Sequence, residues 1–597
     1  MGAQDFTDEQ KRYLEGFVSG VQASRAAAGL KPLGGIGGGA EAQTGGPDHE
    51  HLAAMARFEA EGKKLSPEEK AKREEHPFDA YARLKDDALK GNFPKGVDNF
   101  RWRYHGLYYV APAQNAFMCR MRIPNGILSH WQLRGVADAA QRWGGGYAHV
   151  TTRANLQIRE IAAENGPALI EALADIGVNP KGSGADNIRN VTGSSTAGID
   201  PQELLDTRPF ARAWHHHILN DRSLYGLPRK FNVSFDGGGM IPTLEETNDI
   251  AFTAVTVREG AAGVEPGVWF RLGLGGITGH KDFARPTGAY VKPAKAVKVA
   301  DAIVRVFIDN GDRTDRKKAR LKYVLDAWGF ETFLEAVEAK LGWKLARIAN
   351  DAVIEPPKAD RQAHIGVHPQ KQDGLVWVGV SLRVGRMSVE QMHGLAEIAY
   401  RHGDGDIRLT VWQNLILSGV PREKAEAVEG ALVEIGLTSK ASAVRAGLVA
   451  CTGNTGCKFA LANTKDTALA IAAHVEARVA MDTPINIHLT GCPNSCAQHY
   501  IGDIGLIATR VPVAPDSDDT VEGFNVHIGG GYGPDAQIAR EIFPQTRVED
   551  LPQVIEQILR TYLAHRTSAS ETFLEFARRT DVATLKTMIE TSGRSAA

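Results

Sequence analysis

The amino-acid sequence predicts an α+β protein made of two duplicated halves, each with two modules. Residues 127–158 align with residues 386–417 at a constant offset of 259. Identical residues recur through this alignment: Ser129 with Ser388, Gln132 with Gln391, Gly135 with Gly394, and Asn155 with Asn414. Both copies show apolar residues at helical spacing, then a glycine stop, then a strand pattern. This order favours antiparallel or mixed sheets over a doubly wound parallel fold.

A weaker repeat extends the duplication beyond these stretches. Residues 229–234 parallel 484–489, and residues 269–276 parallel 524–531. Two halves related by a pseudo-twofold axis leave a cleft between them. We expect cofactors and substrates to bind in that cleft.

The N-terminal residues lie outside the repeat. Apolar residues at helical spacing predict a helix over 5–29, and the glycine-rich stretch 34–46 predicts a flexible linker, with a surface loop as the alternative. The highly charged run 61–75 predicts a solvated helix.

Four of the five cysteines form two close pairs in the second half, with the spacing Cys-x5-Cys, 34 intervening residues, Cys-x3-Cys. They are Cys451, Cys457, Cys492 and Cys496. Thiolates are soft ligands for an iron–sulfur cluster or for zinc. Zinc ribbons usually use Cys-x2-Cys pairs, so the wider gaps favour a cluster, with zinc, redox disulfides and simple burial as alternatives. Cys119 stands alone between apolar residues and is expected to pack in the core.

Composition limits the partners and the compartment. The chain has 69 basic and 71 acidic residues, so no global field recruits nucleic acid or anionic lipid. No signal-peptide core and no run of membrane-spanning length is present in the sequence. A cytoplasmic location is therefore expected, and reduced thiols there favour a metal role.

Basic residues occupy the first half where the second half has cysteines, and several lie in recognisable motifs. The motifs are 117–120 with 124–126, 151–153 with Gln157 and Arg159, 187–190, 197–201, 227–232 and the four-cysteine pattern. Together they show that the chain resembles the ferredoxin-dependent nitrite and sulfite reductases, which carry siroheme coupled to a 4Fe-4S cluster. The resemblance covers about residues 75–565.

The resemblance implies a role for each motif residue. The four cysteines would bind the cluster, and Cys496 would also give its sulfur to the siroheme iron. Arg120, Arg189, Lys230 and Asn232 would form the catalytic anion pocket. Arg153, Gln157 and Arg159 would hold the carboxylates of siroheme. The implied fold pairs a ferredoxin-like module with a larger mixed α/β siroheme-binding module in each half.

This fold predicts five segments. They are an N-terminal helical and linker extension (1–75), a first ferredoxin-like half-domain (76–165), a first siroheme-binding, anion-side domain (166–350), a second ferredoxin-like half-domain (351–425), and a cluster-binding domain with C-terminal helices (426–597).

Two positions favour nitrite over sulfite as the substrate. Sulfite reductases tend to have a second lysine where this chain has Asn232, and a neutral amide suits a monoanion. Some sulfite enzymes also have a cysteine linked to a tyrosine, at a position that here is Gly184. The chain departs from the family at Ala154 and at 194–196, beside the expected siroheme site.

The expected activity is the assimilatory six-electron reduction of nitrite to ammonia by a monomer that receives electrons from reduced ferredoxin. No Gly-x-Gly-x-x-Gly opens a helix, so no nicotinamide or flavin domain is expected. The alternatives are a ferredoxin-dependent sulfite reductase, a precorrin-3B synthase and a non-catalytic iron–sulfur electron carrier.

Overall fold

The computed structural model describes residues 46–261, 264–515 and 517–594. The predicted helix over 5–29 and nearly all of the glycine-rich stretch 34–46 lie outside the described residues. Residues Glu50–Ala597 form one compact unit. None of the described helices is both long enough and apolar enough to cross a membrane.

The N-terminal part and the first half contain the following helices and strands. Four helices come first: α1 (His49–Ala60), α2 (Pro67–Glu74), α3 (Tyr81–Leu89) and α4 (Asp98–Trp102). The small module has β1 (Leu107–Val110), β2 (Ala116–Arg120), β3 (Ile127–Ser129), α5 (His130–Trp143), β4 (Tyr147–Val150), β5 (Leu156–Ile161) and α6 (Asn165–Asp175). The large module has β6 (Ile188–Gly193), α7 (Arg208–Asn220), β7 (Phe231–Asp236), β8 (Ile250–Val257), β9 (Gly267–Leu274), β10 (Arg285–Val291), α8 (Ala296–Asn310), α9 (Leu321–Leu341), β11 (Ala346–Arg347) and β12 (Val353–Ile354).

The second half repeats this order. Its small module has β13 (Gly366–Pro369), β14 (Leu375–Val380), β15 (Arg386–Ser388), α10 (Val389–His402), β16 (Asp406–Leu409), β17 (Leu415–Pro421) and α11 (Ala425–Glu434). Its large module has α12 (Ala443–Ala446), β18 (Gly447–Ala450), α13 (Thr464–Glu476), β19 (Asn486–Thr490), β20 (Ile504–Pro512), β21 (Thr520–Ile528), β22 (Arg540–Arg547), α14 (Leu551–His565), α15 (Phe573–Arg579) and α16 (Val582–Arg594). The predicted α+β class with duplicated halves is confirmed.

The matched serine and glutamine pairs start equivalent helices. Ser129 caps α5 and Ser388 caps α10, and in each case the glutamine three residues later completes a capping box. Two of the four N-terminal backbone groups are thereby satisfied in each helix. The helices begin and end 259 residues apart, as the repeat predicts.

The two small modules exchange a strand. One sheet has the order β1-β2-β5-β4-β15, and the other has the order β13-β14-β17-β16-β3. Thus β15 of the second half closes the first sheet beside β4, and β3 of the first half closes the second sheet beside β16. This reciprocal pairing ties the halves together through backbone hydrogen bonds, so they cannot be separate domains.

The two large modules have equivalent mixed sheets. One has the order β11-β10-β9-β8-β7-β6, with β12 also pairing with β8, and the other has the order β18-β19-β20-β21-β22. In each sheet three parallel strands are followed by antiparallel ones. The carboxyl ends of parallel strands meet at one edge of a sheet, which is where ligands bind in such folds.

The register of the weaker repeat was predicted wrongly by one residue. The backbone N–H of Asn232 donates to Asp249 over 2.8 Å, and that of Asn486 donates to Asp503 over the same distance. These equivalent contacts require an offset of 254 between the large modules, whereas the sequence alignment used 255. The difference arises because sequence similarity is low here, so only the hydrogen bonds define the match.

The charged run 61–75 is not the solvated helix that the sequence predicts. Its helix α2 buries Glu69 and Lys72, which are 0% and 6% exposed and form an ion pair. Glu69 also accepts from Arg313, which is 1% exposed, over 2.5 Å. A buried charge is retained only when it is paired, and here the partner lies 244 residues away in the sequence.

Replacing Arg313 with methionine is expected to destabilise the protein by about 3–5 kcal/mol, because it removes one of two cations from the buried Glu69 carboxylate. Equilibrium unfolding in urea measures the change. The matched control is Arg401→Met, since Arg401 pairs with Glu397 on the surface and is 67% exposed at its side chain. That control should lose less than about 1 kcal/mol. Equal losses in the two variants would contradict a structural role for the buried network.

Candidate active site

A cavity of about 410 Å³ brings the predicted site residues together. The four paired cysteines line it, and so do all seven other residues that the sequence singles out: Arg120, Arg153, Gln157, Arg159, Arg189, Lys230 and Asn232. The cysteines come from the second half and the other residues from the first half, so the cavity is a composite of the two halves.

Strand ends place the cysteines. Cys451 directly follows β18, and Cys492 follows the neighbouring parallel strand β19 by two residues. The backbone N–H of Gly491 donates to the Cys451 sulfur over 3.2 Å, and the Asn494 side chain donates to the Cys492 sulfur over 3.6 Å. Burial raises the pKa of the Cys451 thiol, and it raises that of Cys492 to about 11. Metal binding would therefore displace protons from these thiols.

The cavity suits a large polyanionic cofactor as well as a cluster. Four of its buried donor atoms have no hydrogen-bond partner among the described residues. They are Nδ1 of His149 and Nε of Arg103, Arg159 and Arg189, and all four side chains line the cavity. Buried polar atoms without partners are rare in folded proteins, so donors of this kind are positioned for acceptor groups of a ligand. The carboxylates of a tetrapyrrole and the irons of a cluster match this set of donors and thiols.

Two guanidinium groups meet at one end of the cavity. Arg120 Nη1 and Arg189 Nη1 donate to the same hydroxyl, that of Tyr108, over 3.0 and 2.9 Å. Arg189 also donates to the backbone carbonyls of Ser183 and Ala185. Burial acts to raise the pKa of Tyr108, but the charges of the two arginines outweigh it and hold that pKa below its usual value.

A β-bulge places Arg189. Ile188 pairs with Phe231, but Val191 pairs with Val233, so β6 has one extra residue at this point. The equivalent strand β18 pairs with β19 without a shift. Bulges turn side chains away from the regular pleat, which explains why this arginine has no counterpart in the second half.

Lys230 lies in a strongly cationic environment. Burial, followed by repulsion from Arg320, lowers the pKa of Lys230 to about 7, although the nearby Cys496 sulfur opposes the shift. An anion that binds beside this lysine would raise its pKa again and so favour its protonated form. Asn232 is two residues further along the chain, is 5% exposed and lines the same cavity.

Arg153 and Arg159 connect different parts of the cavity wall. Arg153 donates to the Asn248 side chain and to the Thr247 carbonyl within the first half. Arg159 donates to Gln157 over 2.9 Å, and it reaches the cysteine loop through the carbonyl of Gly456 over 2.9 Å. Burial lowers the pKa of both arginines to about 10. Both remain cations at neutral pH.

Sequence reasoning missed several residues of the cavity: Tyr108, His149, Arg229, Arg320 and Lys465. Lys465 is 2% exposed and donates to the carbonyls of Val384 and Ala450, the latter next to Cys451. Its position directly after the Asn463–Thr464 helix start, close behind the first cysteine pair, is a signal that could have found it. Tyr108 and His149 carry no comparable signal.

Gly184 lies against Tyr108. A Cβ atom at position 184 would stand 2.4 Å from the Arg103 carbonyl oxygen and 2.6 Å from the Tyr108 hydroxyl. Real Cβ atoms do not approach other atoms so closely, so only glycine fits here without movement of the backbone. The tyrosine next to position 184 is Tyr108. The sequence identified Gly184 but not this tyrosine.

The pseudo-twofold mates of three cationic cavity residues have no charge. The strand registers match Arg120 with Gly379 and Lys230 with Pro484, and the constant offset matches Arg153 with Trp412. Trp412 is 1% exposed and packs on His364, His488 and Tyr532. The mate of Arg153 is thus a buried aromatic side chain among other rings and not a cation.

Two family models match the chain over most of its length. The nitrite and sulphite reductase 4Fe-4S domain matches residues 184–345 and 441–591. The nitrite/sulfite reductase ferredoxin-like half domain matches residues 111–176 and 368–435. Duplicated halves that share a thiol-lined and cation-lined cavity define an iron–sulfur redox enzyme of this kind, and the chain belongs to the nitrite and sulfite reductase family.

Individual relatives are similar over nearly their whole length. The ferredoxin–nitrite reductase of Synechococcus elongatus is 36% identical over 516 residues, which cover 85% of this chain and 98% of that protein. The chloroplastic ferredoxin–nitrite reductase of Zea mays is 34% identical, with 83% and 89% covered. The structure of the Mycobacterium tuberculosis NirA protein superposes with a TM-score of 0.78 at 29% identity, with 88% and 98% covered.

Proposed function

We propose that the protein is a ferredoxin-dependent nitrite reductase that converts nitrite to ammonia with siroheme and a 4Fe-4S cluster. The observation that carries this proposal is the composite cavity, which four thiols line together with Arg120, Arg189 and Lys230. The curated relatives at 32–37% identity are ferredoxin–nitrite reductases, which supports the substrate and the electron donor.

The cofactors fit the chain through its thiols and cations. Cys451, Cys457, Cys492 and Cys496 would hold the cluster, with the Cys496 sulfur also directed to the siroheme iron. Arg153, Gln157 and Arg159 would hold siroheme carboxylates, since bidentate guanidinium groups match carboxylates in shape and charge. When bound, siroheme and the cluster would transfer electrons from the reduced donor to nitrite one at a time.

The remaining steps are performed by side chains of the first half. Arg120 and Arg189 offset the charge of nitrite and donate hydrogen bonds to its oxygens. Lys230, whose pKa rises when an anion binds beside it and therefore favours the protonated form, can give a proton to a departing oxygen and regain one from water. Nitrite, six electrons and eight protons yield one ammonium ion and two water molecules, so proton supply is as important as charge neutralisation.

Sulfite reduction is the second candidate, because the family includes both activities. The Asn232 side chain favours nitrite, since this position adds no further cation to Lys230 and the two arginines. A precorrin-3B synthase or a bare electron carrier would not need three cations around one small cavity. Steady-state assays of both anions with a chemically reduced carrier test the proposal, and a higher kcat/KM for sulfite would overturn the choice of nitrite.

Replacing Asn232 with lysine is expected to raise the ratio of sulfite to nitrite kcat/KM by about tenfold, because the added cation favours the more highly charged anion. The measurement is the same pair of steady-state assays. Asn525→Lys is the control, since Asn525 pairs with Glu541 on the surface strands β21 and β22 and does not line the cavity. An unchanged ratio in the Asn232 variant would remove the main argument for nitrite.

The monomeric state, the cytoplasmic location, and the absence of nucleic-acid and membrane partners stay predictions.

The proposed domain limits are 1–75, 76–165, 166–350, 351–425 and 426–597. The limit at 350/351 falls between α9, which ends at Leu341, and β13, which begins at Gly366, whereas the limits at 165/166 and 425/426 fall in the first turns of α6 and α11.

A further inference from the structure

The Tyr108 hydroxyl makes all of the hydrogen bonds that it can make, two of them with arginines of the anion pocket. The Tyr108 hydroxyl accepts from Arg120 and from Arg189, and it donates to the Ser183 carbonyl over 3.3 Å. A phenol has one donor hydrogen and two acceptor lone pairs. The three contacts therefore leave the hydroxyl no free position for nitrite or for water.

The tyrosine ring adds contacts with the same cations. The guanidinium of Arg120 lies 4.7 Å from the ring centroid, and that of Arg103 lies 5.9 Å from it. A cation within about 6 Å of an aromatic face is attracted by the ring quadrupole. One neutral side chain thus contacts three positively charged ones, of which two are the proposed nitrite ligands.

Arg120 depends on Tyr108 more than Arg189 does, because Arg189 also donates to the backbone carbonyls of Ser183 and Ala185. Among the described residues, Arg120 has no side-chain hydrogen bond apart from the one to Tyr108. No carboxylate forms an ion pair with Arg120 or Arg189 within the described residues. Two neighbouring guanidinium groups repel each other, so without the shared acceptor Arg120 would turn away from Arg189, which its backbone contacts keep in place.

The surrounding backbone keeps the hydroxyl in this position. Gly184 has no side chain, so the space that a side chain would fill stays available to the Tyr108 hydroxyl. The Ser183 hydroxyl donates to the Arg120 carbonyl over 2.7 Å, so the strand that carries Arg120 is bound to the same loop. The Tyr108 hydroxyl, the Arg120 backbone and the Arg189 side chain are thus all hydrogen-bonded to Ser183.

We propose that Tyr108 is a positioning residue that holds Arg120 and Arg189 in one fixed pair through its hydroxyl oxygen, so that both guanidinium groups face the nitrite site. This inference rests on the proposed function, because it assigns Tyr108 a role through the two arginines. Tyr108 itself does not contact nitrite, since its hydroxyl is fully used.

The test is the Tyr108→Phe variant of the full-length protein with its cofactors bound. Phenylalanine keeps the ring and its contacts with the cations but removes the shared acceptor. The KM for nitrite is expected to rise by about tenfold, as for the loss of hydrogen bonds to charged groups, with a smaller change in kcat. Tyr104→Phe is the matched control, because the Tyr104 hydroxyl is also buried but has no hydrogen-bond partner among the described residues. That control should keep the wild-type KM.

A double-mutant cycle distinguishes positioning from a general structural effect. If Tyr108 acts through Arg189, then Arg189→Lys should raise KM much less in the Tyr108→Phe background than in the wild type. Additive effects, a wild-type KM in Tyr108→Phe, or loss of siroheme absorption from Tyr108→Phe alone would each overturn the inference. Substitution of 4-aminophenylalanine, which has a similar size but a weaker acceptor, provides a second test and should also raise KM.

The outcomes also separate this inference from the proposed function. If the wild-type protein reduces nitrite and Arg189→Lys is impaired, but Tyr108→Phe is not, then the inference alone fails. If the wild-type protein does not reduce nitrite, then the proposed function fails.

Discussion

Replacing Cys496 with serine is expected to abolish nitrite reduction and to remove the absorption bands of bound siroheme. Cys496 is the last of the four thiols, is exposed and lines the cavity that Lys230 and Arg189 also line. A serine hydroxyl does not ionise near neutral pH and is a hard ligand, so it replaces a soft thiolate poorly. Absorption spectra of the purified variant and anaerobic nitrite assays measure both effects.

The control for this variant is Cys119→Ala. Cys119 is fully buried in the core, does not line the cavity and has a pKa raised by burial, as expected for an unreactive thiol. Its loss should leave the siroheme bands and the turnover in place. Wild-type bands together with wild-type turnover in Cys496→Ser would refute the assignment of its sulfur to siroheme.

Replacing Lys230 with glutamine is expected to lower kcat/KM for nitrite by at least about a hundredfold, the usual effect of removing one preorganised charged donor from a buried site. The lysine is half-buried and lines the cavity together with Arg189, Arg229 and Arg320. The siroheme spectrum should remain, because the thiols and the carboxylate-binding arginines are unchanged. Steady-state kinetics at neutral pH measure the loss.

Lys440→Gln is the matched control for this substitution. The Lys440 side chain is 82% exposed and lies on the surface, 3.9 Å from Glu429. The activity of the Lys440→Gln variant should equal that of the wild type. If Lys230→Gln retained more than half of the wild-type kcat/KM, the lysine would have no role in anion binding or in proton supply.

Local rules predicted the parts of the fold that depend on local sequence. The Ser-x-x-Gln boxes before α5 and α10 and the apolar spacing of the helices follow from backbone chemistry within a few residues. The exchange of β3 and β15 does not, because a strand of three residues has no sequence feature that names its partner. Such pairing depends on the packed position of both halves.

The candidate site was also predicted only in part. The cysteine spacing and the arginine motifs identified the residues that line the cavity. Tyr108 remained unidentified, since a tyrosine in an apolar strand is usually a core residue and its role depends on two arginines that lie 12 and 81 residues away in the sequence. The buried Glu69 was likewise read as solvated, because its partner Arg313 is distant in the sequence.

The β-bulge at Arg189 also could not be predicted. Both large modules contain the same parallel strands, but only β6 has an extra residue before its pairing with β7 resumes. One inserted residue changes which face the following side chains occupy. One extra residue thus distinguishes β6, which carries Arg189, from its mate β18.

Nitrite reduction is tested most directly by the electron count of the purified protein with reduced ferredoxin and nitrite under anaerobic conditions. We expect six ferredoxin molecules to be oxidised for each nitrite consumed and each nitrite to appear as ammonium. Nitrite that stays unreduced, or a product other than ammonium, would contradict the proposed function.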